Sequence, residues 1–133
     1  MRKTRSSSVS ANIKKKRLYI SLHGILTKEE AERLYTDIRF CVADLGPDFA
    51  VITDLTNGQI GHLNAISTFR KITRFLQEQK VGKVVRIVGQ SKVIYLQILK
   101  LTDKTQGYEP IYVSTLEEAE SLLDALVRDE QSA

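Results

Sequence analysis

Apolar residues in this chain recur with two different periods, and the switches between them mark its elements. In "SVSANI" Val9, Ala11 and Ile13 alternate with polar residues, and in "RLYISLHG" Leu18, Ile20 and Leu22 alternate with Arg17, Tyr19, Ser21 and His23. A two-residue period predicts half-buried strands, and the intervening "KKK" predicts a short turn, hence a hairpin. After Gly24 the period lengthens. Ala31, Leu34, Tyr35, Ile38, Val42 and Leu45 follow at helical spacing. Thr27 and Glu30 are spaced as a capping box, the threonine satisfying first-turn amides while the glutamate reaches back. Gly46 and Pro47 stop that helix.

"FAVITDL" from Phe49 is nearly continuous in apolar residues, which predicts a strand buried on both faces. A polar turn from Thr56 to Gly61 is expected next, leading into a helix with Leu63, Ile66, Phe69, Ile72 and Leu76 inward and Arg70, Lys71 and Arg74 on its solvent side. "VGKVVRIVG" is a further strand ended by Gly89, and Ser91 is placed to cap a helix over "KVIYLQILKL". Gly107 ends that helix, "PIYVS" is the last strand, and Ser114 or Thr115 caps a final helix carrying Leu116, Ala119, Leu122, Leu123 and Leu126. Strands alternating with helices imply right-handed crossovers and parallel pairing. The expected fold is α/β: a mixed, mostly parallel sheet of about five strands with four helices. Its N-terminal β-hairpin contributes an antiparallel strand at or near an edge.

At 133 residues the chain fits one domain that buries about two thirds of its unfolded surface. Residues 1–7 read as a basic tail, 8–128 as the domain and 129–133 as a C-terminal tail. The lone Cys41 has no internal partner, and no Cys/His spacing suggests zinc, so neither a metal nor a cofactor is expected. No apolar run reaches the ~20 residues of a membrane span, and the basic start lacks a signal-peptide core, which predicts a cytoplasmic protein. The net charge of +4 comes mostly from the first seventeen residues, where Arg2, Lys3, Arg5, Lys14, Lys15, Lys16 and Arg17 lie. That cluster reads as a solvated tail and a lysine-rich turn that could meet nucleic acid or acidic membrane weakly, and no aromatic residues alternate with the second basic group, Arg70, Lys71 and Arg74, to stack bases.

"LHGILTKEEAERLYTDIR", "LGPDFAVITDLT", "VVRIVGQSKVIYLQILK" and "IYVSTLEEAESLL" together resemble the SpoIIAA-like branch of the STAS family, over roughly residues 9 to 127. The resemblance rests on order and spacing. It implies a small α/β domain that binds a partner kinase or regulatory protein. In such antagonists the turn after the equivalent of "VITDL" carries an Asp-Ser-Ser-Gly type motif whose serine is phosphorylated to break the complex. Here His62, Leu63, Asn64 and Ala65 stand in that place, so the phospho-acceptor is missing. Ser67, the nearest hydroxyl downstream, falls a helical turn further on, where amides are already engaged, and is a poor substitute. A more distant likeness to SEC14-type lipid-binding domains implies an apolar ligand as the alternative.

In an open α/β sheet ligands bind beyond the carboxyl ends of the strands. His23, Asp54, Asn57, Gln90 and Ser91 should meet there, and His62 stands beside them near a helix start; these six are the candidate ligand-binding residues. His23, Asp54 and Ser91 could be drawn as base, orienter and nucleophile. Each has a simpler role: a solvated strand end, a cap on turn amides and a helix cap. No complete catalytic set emerges. Arg86 interrupts a strand that should be buried. Alternation groups it with Val84 and Val88, so if the helices gather on one face it emerges on the other, near Tyr19, Ser21 or Tyr112. Arg86, Tyr19 and Tyr112 are therefore candidate interface or ligand contacts. The expectation is a non-enzymatic interaction module whose partner is a protein, a small ligand or a second copy of the chain.

Overall fold

The computed structural model describes residues 7–60, 63–89 and 110–132. Its five strands are β1 (Ser8–Asn12), β2 (Arg17–Leu26), β3 (Ala50–Ile60), β4 (Val84–Ile87) and β5 (Ile111–Val113). They form one sheet in sequence order, β1 antiparallel to β2 and every later pair parallel. Among the described residues there are three helices, α1 (Lys28–Ala43), α2 (Leu63–Glu78) and α3 (Leu116–Ser132). The helix expected from Ser91 lies outside the described residues.

The hairpin turn closes because Asn12 Oδ1 accepts from Lys15 N at 3.0 Å and Lys16 adopts a left-handed φ of 55°. Because the strands run in sequence order, right-handed crossovers place α1 and α2 on the same side of the sheet. There Leu18, Ile20, Leu22, Val51 and Val84 meet Leu34, Ile38, Phe69, Ile72 and Leu76. Burying each such side chain contributes about 1.5–3 kcal/mol. Alternation sends Ile52, Val85 and Ile87 to the opposite face, where Ala119 and Leu123 of α3 cover them.

Three details differ from the sequence reading. Thr27 caps α1, its hydroxyl accepting from Glu30 N at 3.2 Å, but the Glu30 carboxylate does not reach back to it. Glu30 Oε1 instead accepts from Ser7 N at 2.9 Å. Arg33 Nη2 donates to Ser7 O at 2.8 Å and His23 N donates to Ser7 Oγ at 3.0 Å, so Ser7 is buried with three of its polar atoms engaged. Second, residues 56–60 are not a turn. β3 continues to Ile60, paired with His23–Leu26 of β2 beyond a register shift. Ladder hydrogen bonds to β2 outweigh the turn preferences of Asn57 and Gly58. Third, Arg86 does not emerge away from the helices: it shares with Thr53 and Val84 the face covered by α1 and α2.

Candidate functional site

Parallel pairing brings four strand ends to one edge. Across β2 and β3, Ser21 lies opposite Asp54 and His23 opposite Asn57, so Leu22 of β2 faces two residues of β3, Leu55 and Thr56. Asp54 Oδ1 accepts from Thr56 N at 3.0 Å, a local bond that lets the extra residue be absorbed without orphaning an amide. His23 Nε2 is 3.1 Å from Ser21 Oγ. Gly89, at φ +61°, lets β4's end approach β3; a Cβ there would lie 3.2 Å from Thr56 Cγ2. Val88 N donates to Val113 O at 3.1 Å and joins the end of β5 to the same edge. Thr115 Oγ1 accepts from Glu118 N at 3.1 Å, so Thr115 caps α3 there.

Of the sequence candidates, His23, Asp54 and Asn57 thus come together. His62, Gln90 and Ser91 lie outside the described residues. Among the described residues no hydrogen bond joins His23 to Asp54, and each side chain already has a nearer partner. What the edge presents is a set of backbone and side-chain polar groups on a rigid sheet. Such a surface suits recognition. Ser67 is exposed on α2, whereas its neighbour Thr68 is buried and donates to Glu32 Oε1 at 3.1 Å. That bond comes first, followed by the charge of Lys71, in holding the Glu32 carboxyl below its usual range. Lys71 Nζ is 3.4 Å from Glu32 Oε2, so this part of α2's basic side is tied to α1.

Arg86 is 2% exposed, and its Nη1 donates to Tyr112 Oη at 3.1 Å. The guanidinium also lies 5.9 Å from the Phe69 ring centroid. It borders a small cavity lined by Ile20, Val51, Thr53, Ile72 and Val84, with a volume of about 30 Å³. That is room for water, well below the volume of about 300–1,000 Å³ typical of a small-molecule site.

Tyr19 lies on the other face and belongs to a cluster that no sequence motif marks. Arg17 Nη1 donates to Glu120 Oε1 and Nη2 to Asp124 Oδ1, each at 2.7 Å, while Tyr19 Oη donates to Glu120 Oε1 at 2.9 Å. Burial alone would lower the Arg17 pKa, but the bonds and charges of the two carboxylates outweigh it and raise the value. Burial first, then Glu120, pushes the Tyr19 phenol up. Glu120 and Asp124 are one helical turn apart on α3, the only sequence signal for this pairing.

Among the described residues no group of three metal-ligating side chains is gathered, and no helix is long and apolar enough to cross a membrane.

The fold is that of the SpoIIAA-like STAS domains. The unphosphorylated form of the anti-sigma factor antagonist SpoIIAA matches with a TM-score of 0.61 at 11% identity, covering 91% of this chain and 97% of the other. The phosphorylated form of SpoIIAA, a Bacillus cell fate determinant, matches with a TM-score of 0.61 at 12% identity, covering 89% and 99%. No protein-family model matches the sequence, and no curated protein matches it.

Proposed function

We propose that this chain is a non-enzymatic regulatory module that binds a protein partner at the carboxyl edge of its sheet, around His23, Asp54 and Asn57. The observation that carries the reading is the likeness in fold, over nine-tenths of the chain, to an anti-sigma factor antagonist. The engagement of Asp54 with Thr56 N and of His23 with Ser21 supports a recognition surface over a catalytic one. The module works without the serine switch that the resemblance implies, because the corresponding position is Leu63. The cavity under α1 and α2 favours no lipid-carrier reading.

A photo-crosslinking residue placed at Asn57 in producing cells tests this, with the same residue at exposed Arg74 as control. A discrete protein adduct at Asn57 and none at Arg74 is the expected result. Equal adducts at both positions, or hydrolase turnover by the purified chain that Asp54→Asn abolishes, would overturn it.

A further inference from the structure

The opposite edge of the sheet, where β2, β3 and β4 begin, carries two adjoining surface hollows of about 500 and 320 Å³. Their walls hold Lys14, Lys15 and Lys16 of the hairpin turn, Lys83 just before β4, and Arg17 and Arg128, against the carboxylates of Asp48 and Asp124. Asp124 is bonded to Arg17 and also meets the charges of Lys15 and Arg128, but two lining carboxylates stand against six lining cations, so the hollows stay positive. The apolar part of the lining comes from Leu123, Leu126 and Val127 of α3. Val127 is 42% exposed, and Ile13, one residue before the lysine run, is 60% exposed.

The rim is preformed. Lys16, Asp48 and Lys80 all adopt left-handed φ values of 55–64°, uncommon for residues other than glycine, and each stands shortly before a parallel strand. Backbone bonds from Asp48 N to Lys80 O, Ala50 N to Lys16 O and Gly82 N to Phe49 O, of 2.8–2.9 Å, lock them to one another. A ligand therefore meets a groove whose ordering has already been achieved in folding.

We infer that this groove receives an acidic peptide segment of a partner protein, its carboxylates facing the lysines and its aliphatic side chains resting on Leu126 and Val127. Charge complementarity sets the sign of the ligand. The aliphatic lining and the absence of aromatic side chains among the lining residues favour a peptide over nucleic acid, whose bases want stacking partners. The surface is hollow, which holds part of its basic lining back from a flat lipid surface. This site is on the edge away from His23 and Asp54, and it stands or falls independently of the function proposed above.

The test is fluorescence anisotropy with the whole chain and a fluorescein-labelled peptide of repeating Glu-Glu-Leu. Comparison ligands are an all-glutamate peptide of equal charge, a single-stranded oligonucleotide and phosphatidylserine vesicles. Saturable binding is expected to weaken as salt rises from about 0.01 M to about 0.1 M, over which the Debye length falls from about 30 to about 10 Å. The double substitution Lys14→Glu/Lys83→Glu should reduce affinity about tenfold or more, and Val127→Asp should reduce it as well. Arg70→Glu/Arg74→Glu changes the net charge equally but lies on α2, and should leave binding unchanged. Circular dichroism melts confirm that each variant is folded. No binding, equal loss in both double variants, or equal or tighter binding of the all-glutamate peptide, oligonucleotide or vesicles would overturn the assignment.

Discussion

Arg17 Nη2 lies 2.7 Å from Asp124 Oδ1, joining the first residue of β2 to the third turn of α3 across 107 positions of sequence. The guanidinium is 3% exposed, yet both carboxylates that hold it keep one side in water, at 31% and 45%. Burial of the cation is thus balanced by anions that stay partly solvated, which limits the desolvation penalty usual for buried pairs. Arg17→Ala should lower the unfolding free energy by about 2–3 kcal/mol through lost packing and lost charge-assisted bonds. Urea unfolding followed by circular dichroism measures it. Arg17→Met should lose less, since the methionine refills the site while Glu120 and Asp124 turn to solvent.

Acid should weaken the fold through two carboxylates. The hydrogen bond from Arg17 holds the Asp124 carboxyl below its usual range against a smaller opposing effect of burial, and Glu32 is lowered through Thr68. Both therefore take up protons more readily in the unfolded chain. Their contribution is full above the unfolded carboxylate range of about pH 4 and is lost as pH falls through the lower folded values. Urea midpoints measured from about pH 6 to about pH 3 should drop at the acid end, and Asp124→Asn should flatten that drop. At the alkaline end, Tyr19 is raised, so its contribution persists below about pH 10 and fades above it. Tyr19→Phe should remove that alkaline step.

Gly89→Ala should destabilise the fold by about 1–2 kcal/mol, because the new methyl meets Thr56 Cγ2 at 3.2 Å and the backbone is left-handed there. The double variant Gly89→Ala/Thr56→Ser should recover the steric share and leave the conformational share. Thermal melts of the four chains in this cycle separate the two.

Lys80 occupies the position where α2 ends in a Schellman motif. Val81 N donates to Leu76 O and Lys80 N to Gln77 O, both at 3.1 Å, with φ of 62° at Lys80. Glycine is the usual residue in that conformation. Lys80→Gly should raise stability by about 0.5–1 kcal/mol in chemical denaturation, since relief of the left-handed strain exceeds the added freedom of the unfolded chain.

The hairpin, the buried strands and the cap of the last helix were legible because each depends on neighbours close in sequence. Asp54 was readable as a residue that holds local amides, and it does so at Thr56 N. The expected turn after it was not, because whether Thr56–Ile60 turns or pairs is decided by His23–Leu26, far away in the chain. Arg86 was placed on the wrong side of the sheet for a similar reason: alternation groups it with Val84 but does not say which face the helices cover. Its neighbour Tyr112 was anticipated, whereas Tyr19 serves Glu120 on the other face. Nothing local announces that Glu30 abandons its own cap for Ser7, or that Glu120 and Asp124 meet Arg17.

The three bonds that converge on Ser7 also have a mechanical consequence. Its amide is held by Glu30 and its carbonyl by Arg33, both on α1, while its hydroxyl is held by the His23 amide on β2. Tension applied to the chain upstream would reach Ser7 before β1 could peel from its neighbour. A handle or tether attached ahead of Ser7 would therefore pull on α1 and β2 together, whereas one joined at Ser8 would be resisted by the β1–β2 pairing and by the packing of Val9 and Ala11 on the core.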